Sequence, residues 1–407
     1  GLVDMAAAAI GMDPVEIRRR NLYRDDAYPV TSPAKMRFEG LSHHASLDKL
    51  LEMMDYDALR ADQEAARKQG KHRGIGIASF IELTNPSPFM YGIGGARISA
   101  QDGCTVRMDP DGSVVALSGV TEQGQGTEAM LAQVVAEGVG VAPDQVRVVT
   151  GDTQVTPYGG GTWASRGAGI GGEAALQAAR ALRESILEVA ASMLQAEAGK
   201  LDIRGGQVVD AASGEERMPL EELGRIVYFR GDTLPKGLPR ELVQTRHFIT
   251  MDYPFAFTNG VQASYLEVDV ETGVVTLLKH WCVEDCGRII NPQLVDEQIR
   301  GGIVQGLGGA LYEEIHYDES GQLLNASMAD YLVPMAAEMP DMMVGHVETP
   351  TQESALGAKG AGEAGTAGAP AAVMNAVNDA LRPFGAQVTE MPFTPERVLR
   401  ALGRLSD

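Results

Sequence analysis

Apolar residues recur at helical spacing over Leu2 to Ile10 and again over Pro14 to Leu22. The second run opens on Pro, which suits a first helical turn because its missing N–H would have no intrahelical partner there. A longer stretch, roughly Ser46 to Gln69, pairs an apolar stripe with a charged face (Glu52, Asp57, Arg60, Arg67) and predicts a helix stopped by Gly70. From Gly74 the pattern turns strand-like. Strands are expected at Gly74 to Glu82, Arg97 to Ser99, Thr105 to Met108 and Ser113 to Ser118, the last two joined by the turn Asp109-Pro110-Asp111-Gly112. A helix (Thr127 to Gly138), a strand (Gln145 to Thr150) and an Ala-rich helix (Glu173 to Ala196) follow, then a turn-rich mixture over 199–245.

The same grammar returns near His247. Ala263 to Val270 and Val274 to Val283 form a second hairpin about Glu271-Thr272-Gly273, leading through a loop into a helix from Pro292 to Glu314. The chain closes with a loop from Thr351 to Gly368 and helices at Pro370 to Leu381 and Pro395 to Leu402. The fold class expected is α+β, with two related β-hairpin-plus-helix units. The expected division is a helical connecting segment (1–72), a first α+β unit (73–245) and a second unit with the Glu363 loop (246–407).

Length and composition narrow the function. At 407 residues, 44% apolar and 22% charged, the chain reads as a globular protein of two or three domains. No apolar run approaches the ~18 residues of a membrane span. A net charge of −21 argues against nucleic acid and anionic membrane surfaces as partners. Three cysteines (Cys104, Cys282, Cys286) are too few for a disulfide framework or an iron–sulfur cluster; they suit buried thiols in a reducing, cytoplasmic setting. The chain opens on Gly1 and a helix, with no Met or signal peptide, so it is expected to be a cleaved product, an isolated domain or one part of a larger polypeptide.

Four segments are dense in Gly and small residues. In Gln123-Gly124-Gln125-Gly126, between a strand and a helix, glycines let a ligand lie on the backbone and the helix start offers free amides to an anion such as pyrophosphate. A plain strand-to-helix loop would read the same way. Gly159 to Gly172 holds Thr162-Trp163-Ala164-Ser165-Arg166, with hydroxyls and an Arg suited to phosphate. Its Gly167-Gly169-Gly172 spacing fits G-x-G-x-x-G formally, but no βαβ unit surrounds it, so a nicotinamide-dehydrogenase reading is weak. In Gly301 to Gly309, Gly302, Gln305, Gly306 and Gly309 share a helix face; close helix packing explains the glycines but not Gln305. The fourth segment, Gly357 to Pro370, places one carboxylate, Glu363, among glycines and alanines, where it is either a general base or the cap of the next helix. Together the four point to a large, polar, phosphorylated cofactor gripped from several sides.

In order along the chain, Asp13-Pro14-Val15-Glu16-Ile17-Arg18-Arg19-Arg20-Asn21-Leu22, Gln123-Gly124-Gln125-Gly126, Gly161-Thr162-Trp163-Ala164-Ser165-Arg166, Asp285-Cys286-Gly287-Arg288-Ile289-Ile290-Asn291-Pro292, Val304-Gln305-Gly306-Leu307-Gly308 and Gly357-Ala358-Lys359-Gly360-Ala361-Gly362-Glu363 form a specific series. Over nearly its whole length the chain resembles the C-terminal half of the molybdopterin-binding large subunit of the xanthine dehydrogenase / aldehyde oxidase / aerobic carbon monoxide dehydrogenase family. The resemblance implies a molybdenum hydroxylase fragment or split subunit that oxidises an aldehyde, an N-heterocycle or carbon monoxide with water as the oxygen source. It implies Glu363 as the base, and cofactor contacts at Gln123, Gly124, Gln125, Gly126, Thr162, Trp163, Ala164, Ser165, Arg166, Gln305, Lys359 and Gly360. The cofactor implied is molybdopterin with molybdenum, in its cytosine dinucleotide form, with no iron–sulfur or flavin group in this chain. The partners implied are the N-terminal half of the molybdenum subunit, an iron–sulfur subunit and an FAD subunit. The alternative is a non-catalytic half-subunit that binds no cofactor without that N-terminal half.

Overall fold

A computed structural model describes residues 1–95 and 97–406. Two short helices, α1 (Leu2–Ala9) and α2 (Pro14–Asn21), lead to a small ribbon of β1 (Val30–Thr31) and β2 (Arg37–Phe38). The helix expected from Ser46 to Gln69 is two, α3 (His43–Met54) and α4 (Tyr56–Lys68). They break at Asp55, whose φ is 49° and whose carboxylate accepts from Ala58 N at 3.4 Å to cap α4. An N-cap carboxylate satisfies an amide that the helix cannot, which favours the break.

β3 (His72–Thr84) is followed by the first repeat: β4 (Asp102–Met108), β5 (Val114–Ser118), α5 (Thr127–Val139), β6 (Val146–Val149) and α6 (Glu173–Leu194). The strand expected at Arg97 to Ser99 is absent; these residues are irregular. The turn-rich region resolves into β7 (Leu201–Arg204), β8 (Gln207–Asp210), β9 (Glu216–Pro219), α7 (Leu220–Phe229) and β10 (Val243–Phe248). The second repeat comprises β11 (Ala256–Val268), β12 (Val275–Asp285), α8 (Pro292–Leu311), β13 (Asp341–His346) and α9 (Ala364–Leu381), with α10 (Pro395–Ala401) closing the chain.

The two repeats share one topology. In the first, β4 and β5 pair antiparallel, α5 crosses over, and β6 returns parallel to β5. In the second, β11 and β12 pair antiparallel, α8 crosses over, and β13 returns parallel to β12. Each gains a further antiparallel strand, giving the orders β10-β4-β5-β6 and β13-β12-β11-β3. The duplication read from the sequence is therefore present, and its units are ββαβα. Two strands cross the expected divisions: β3 joins the second repeat's sheet, and β10 spans residue 245 to complete the first.

Sequence explains the packing. The core of the first repeat gathers Val106, Val114, Leu131, Val135, Leu182 and Ile186 between sheet and helices. The second sheet is covered on both faces. Ile75, Ile77, Val261 and Trp281 meet Leu47 and Leu50 of α3 on one side. On the other, β3 presents Gly74 and Gly76 to α9, so closely that a Cβ on either would overlap the carbonyls of Ala376 and Ala372.

Candidate active site

Corresponding loops of the two repeats converge. The β5–α5 turn and the loop before α6 face the β12–α8 turn and the loop before α9 across a cavity of about 580 Å³. All the expected site residues line it except Arg166 and Gln305.

The β5–α5 turn is organised by an acid that sequence reasoning did not single out. Glu122 accepts from the backbone amides of Gly124 (2.7 Å), Gly126 (3.0 Å), Glu128 (3.0 Å) and Gln123 (3.1 Å). Burial pushes its carboxyl up, yet these amides together hold it below the ordinary carboxylate range. The amides at the start of α5, expected to be open to a pyrophosphate, are thus already occupied by a carboxylate. Gln125 is partly committed too: its Oε1 accepts from Gln123 N at 2.6 Å and its Nε2 donates to Thr127 Oγ1 at 2.8 Å. Thr162 ties this turn to the next loop, donating to Thr121 O at 2.8 Å and accepting from Thr121 N at 2.9 Å.

In the loop before α6, Ala164 and Ser165 both adopt positive φ, 46° and 49°. Two successive non-glycine residues there are costly, and such strain collects at functional sites. The chain then enters a π-helical turn, Gly167–Gly172, which has no side-chain cap. Arg166 points away from the cavity. It is fully buried, bonded to Gln101 O at 2.7 Å and paired with Asp102 at 3.2 Å. Its guanidinium anchors the loop to β4, and burial works against both charges of the pair.

The loop before α9 ends at Glu363, which begins the helix; α9 starts at Ala364, so Pro370 lies inside it and not at its start. Glu363 is exposed to the cavity. Ser165 Oγ lies 3.0 Å from Glu363 Oε2 and accepts from Glu363 N at 3.1 Å. Glycine permits this approach: a Cβ at Gly362 would sit 2.8 Å from Ser165 Oγ. On the other side, Ser165 Oγ makes a short hydrogen bond with Glu82 Oε1 of β3. Glu82 is buried, and burial pushes its carboxyl up to about 8, the Glu363 charge adding to the rise and the Ser165 bond opposing it. Gln298 of α8 holds the loop by donating to Gly362 O at 2.7 Å. Lys359 lines the cavity, but its ammonium is buried and donates to Thr349 Oγ1 at 2.8 Å and Gly40 O at 3.2 Å.

Gln305 lies on α8 outside the cavity and is exposed. The neighbouring glycines serve packing: a Cβ at Gly302 would be 2.9 Å from Gly365 Cα, and one at Gly306 2.8 Å from Ala369 Cβ. All three cysteines are buried and unpaired, as expected.

The arrangement suits a large anionic cofactor. The π turn ahead of α6 borders the cavity at Gly167 and Ala168 without a side-chain cap, so its first amides are available to an anion. Amides and hydroxyls line the first repeat's wall, and one carboxylate without a cationic partner among the described residues stands on the second's. Residues 49–340 match the molybdopterin cofactor-binding domain, and the chain belongs to that family. It is 40% identical over 406 residues to the nicotine 6-hydroxylase large subunit of Paenarthrobacter nicotinovorans, covering 100% of this chain and 49% of that one. It is 30% identical to the carbon monoxide dehydrogenase large chain of Hydrogenophaga pseudoflava, covering 98% of this chain and 50% of the relative. The structure of quinoline 2-oxidoreductase from Pseudomonas putida 86 superposes with a TM-score of 0.91 at 36% identity, over 99% of this chain and 51% of that chain. The chain therefore spans about half the length of these relatives. Among the described residues, no helix is long and apolar enough to cross a membrane.

Proposed function

We propose that this chain forms one side of the active site of a cytoplasmic molybdenum hydroxylase whose substrate is an N-heterocycle, with water as the oxygen source. The observation that carries the reading is Glu363, which among the described residues is the one carboxylate lining the cavity, fixed at a helix start beside Ser165. The heterocycle is favoured over an aldehyde or carbon monoxide by the names of the relatives: those acting on nicotine and quinoline are 40% and 36% identical, against 30% for the carbon monoxide dehydrogenase above.

When bound, the molybdenum cofactor supplies the oxidising chemistry and accepts the electrons. Gln123 to Gly126, Thr162 to Ser165 and the backbone at Lys359 and Gly360 would hold it, in its cytosine dinucleotide form. Arg166 supports that wall from behind through Asp102. Glu363 acts as the general base, taking the proton that the attacking oxygen must lose. Ser165 fixes one of its oxygens. The N-terminal half of the large subunit closes the cavity, and iron–sulfur and FAD subunits carry the electrons away.

The test is metal and nucleotide analysis of the purified protein. Molybdenum equimolar with the chain, and CMP released on denaturation, are expected. Absence of both overturns retention of the cofactor by this chain and leaves a half-site that binds only together with its other half.

A further inference from the structure

Three groups meet at one hydroxyl, and their hydrogens can be counted. A serine hydroxyl offers one hydrogen and two lone pairs. Ser165 Oγ is contacted by Glu82 Oε1, by Glu363 Oε2 at 3.0 Å and by the Glu363 amide at 3.1 Å. The amide hydrogen takes one lone pair. If both carboxyls were ionised, two acceptors would compete for the single Ser165 hydrogen, and one contact would be repulsive. If Glu82 carries a proton, every partner is satisfied: Glu82 O–H donates to Ser165 Oγ, and Ser165 donates to Glu363.

The surroundings of Glu82 favour its neutral form. It is 7% exposed, and its Oε2 has no hydrogen-bond partner among the described residues, a costly state for a carboxylate oxygen and a tolerable one for a carbonyl. β11 sets Thr258 opposite it, the loop before α6 presents Ser165, and the loop before α9 presents Glu363, the charge that faces it. Lys359, in the same loop as Glu363, turns its ammonium away toward Thr349 and Asp285.

We propose that Glu82 is a positioning residue for Glu363: held protonated, it donates to Ser165 and so commits the one Ser165 hydrogen to the Glu363 carboxylate. Glu82 touches neither cofactor nor substrate; it sets the direction of a two-bond chain that ends on the base. The proposal rests on Glu363 being the base, but the protonation of Glu82 can be measured without that.

The first measurement is infrared difference spectroscopy of the complete protein, wild type against Glu82→Gln, with or without metal loaded. A protonated-carboxyl band present at neutral pH and missing in Glu82→Gln is expected; its absence from the wild type overturns the proposal. Should Glu82→Gln fail to fold, a pH titration of the wild type replaces it. A buried carboxyl that ionises only on the alkaline side of neutrality is expected, and the lack of one overturns the proposal. The second measurement is the pH profile of the loaded complex. Glu82→Leu removes the donor to Ser165 and should lower kcat about tenfold, the scale of one hydrogen bond to a charged group, with KM little moved. Glu82→Gln still donates, through its amide, and should recover most of that loss with the acid limb of the profile where the wild type has it. An acid limb displaced downward in Glu82→Gln would mean that a negative charge had been removed beside Glu363, and the proposal would fall. Lack of molybdenum would defeat the functional reading while leaving the infrared result to stand by itself.

Discussion

The two repeats place their second helices alike and use the entrances differently. At the entrance to α6, the charged residue Arg166 is drawn into the core by Asp102 and anchors the loop from behind. At the entrance to α9, Glu363 is left in the cavity with one hydroxyl partner. One repeat supplies a strained, neutral wall and the other supplies the charge. A duplicated fold can divide its labour in this way because the two entrances are independent: the carboxylate faces the cavity without an ion-pair partner among the described residues, while the Arg is buried and paired behind its loop.

That contrast can be broken most sharply at Glu363. In the complete complex, Glu363→Gln should lower turnover by about 10²–10⁴-fold, the usual worth of a positioned base. Molybdenum content and thermal stability should stay at wild-type levels. Retained turnover would remove Glu363 from the base assignment. Arg166→Met should do the reverse. It leaves Asp102 buried and unpaired, and should cost about 3–5 kcal/mol in denaturant unfolding. A loss much smaller than that would mean that the loop before α6 does not depend on the pair.

The crossover helices offer a finer comparison. α5 meets α6 where a Cβ on Gly138 would lie 2.6 Å from Ala179 Cβ, and α8 meets α9 at Gly302 and Gly306. Gly302→Ala should therefore overpack the helix pair and cost about 1–3 kcal/mol. Gly309→Ala, with nothing within 4 Å of its Cβ, should stabilise by up to about 1 kcal/mol through helix propensity. Thermal melts of the two variants in opposite directions are expected; the same direction would refute the packing account.

What the sequence made legible follows from these contacts. The hairpins, the crossover helices and the Glu363 loop were readable because period and glycine density report local backbone. Glu82 was not. Along β3, Ile75, Ile77, Ile81 and Leu83 share one face, so alternation assigns Gly74, Gly76, Glu82 and Thr84 to solvent. The glycines instead admit α9 and the far end of that face closes on Ser165, while Ile81 and Leu83 on the opposite face stay exposed, so alternation fails at both ends of the strand. Arg166 misled for a related reason. An Arg beside Ser and Thr suggests phosphate, and its partner Asp102 lies 64 residues away. Gln305 kept its exposed place on α8, and only contacts beyond this chain's described residues could give it a role.

The smallest effect separates the helix starts themselves. α5 is capped by the charged Glu122, and α8 by the neutral Asn291, which accepts from Leu294 N at 3.1 Å and donates to Gln133 of α5 at 3.1 Å. Loss of either cap should cost about 0.5–2 kcal/mol near neutral pH. Their pH dependence should differ. Burial raises the Glu122 carboxyl, but its four backbone donors outweigh burial, so its folded-state value lies below its unfolded one. A group depressed in this way stabilises fully above the unfolded value, and the gain fades as pH falls through the folded value. The gap between wild type and Glu122→Gln in urea unfolding should therefore close on acidification. The gap for Asn291→Ala should persist, because no proton enters that cap. A Glu122 gap that ignores pH would show that the carboxylate's charge contributes nothing to the start of α5, and that its shape alone holds the turn.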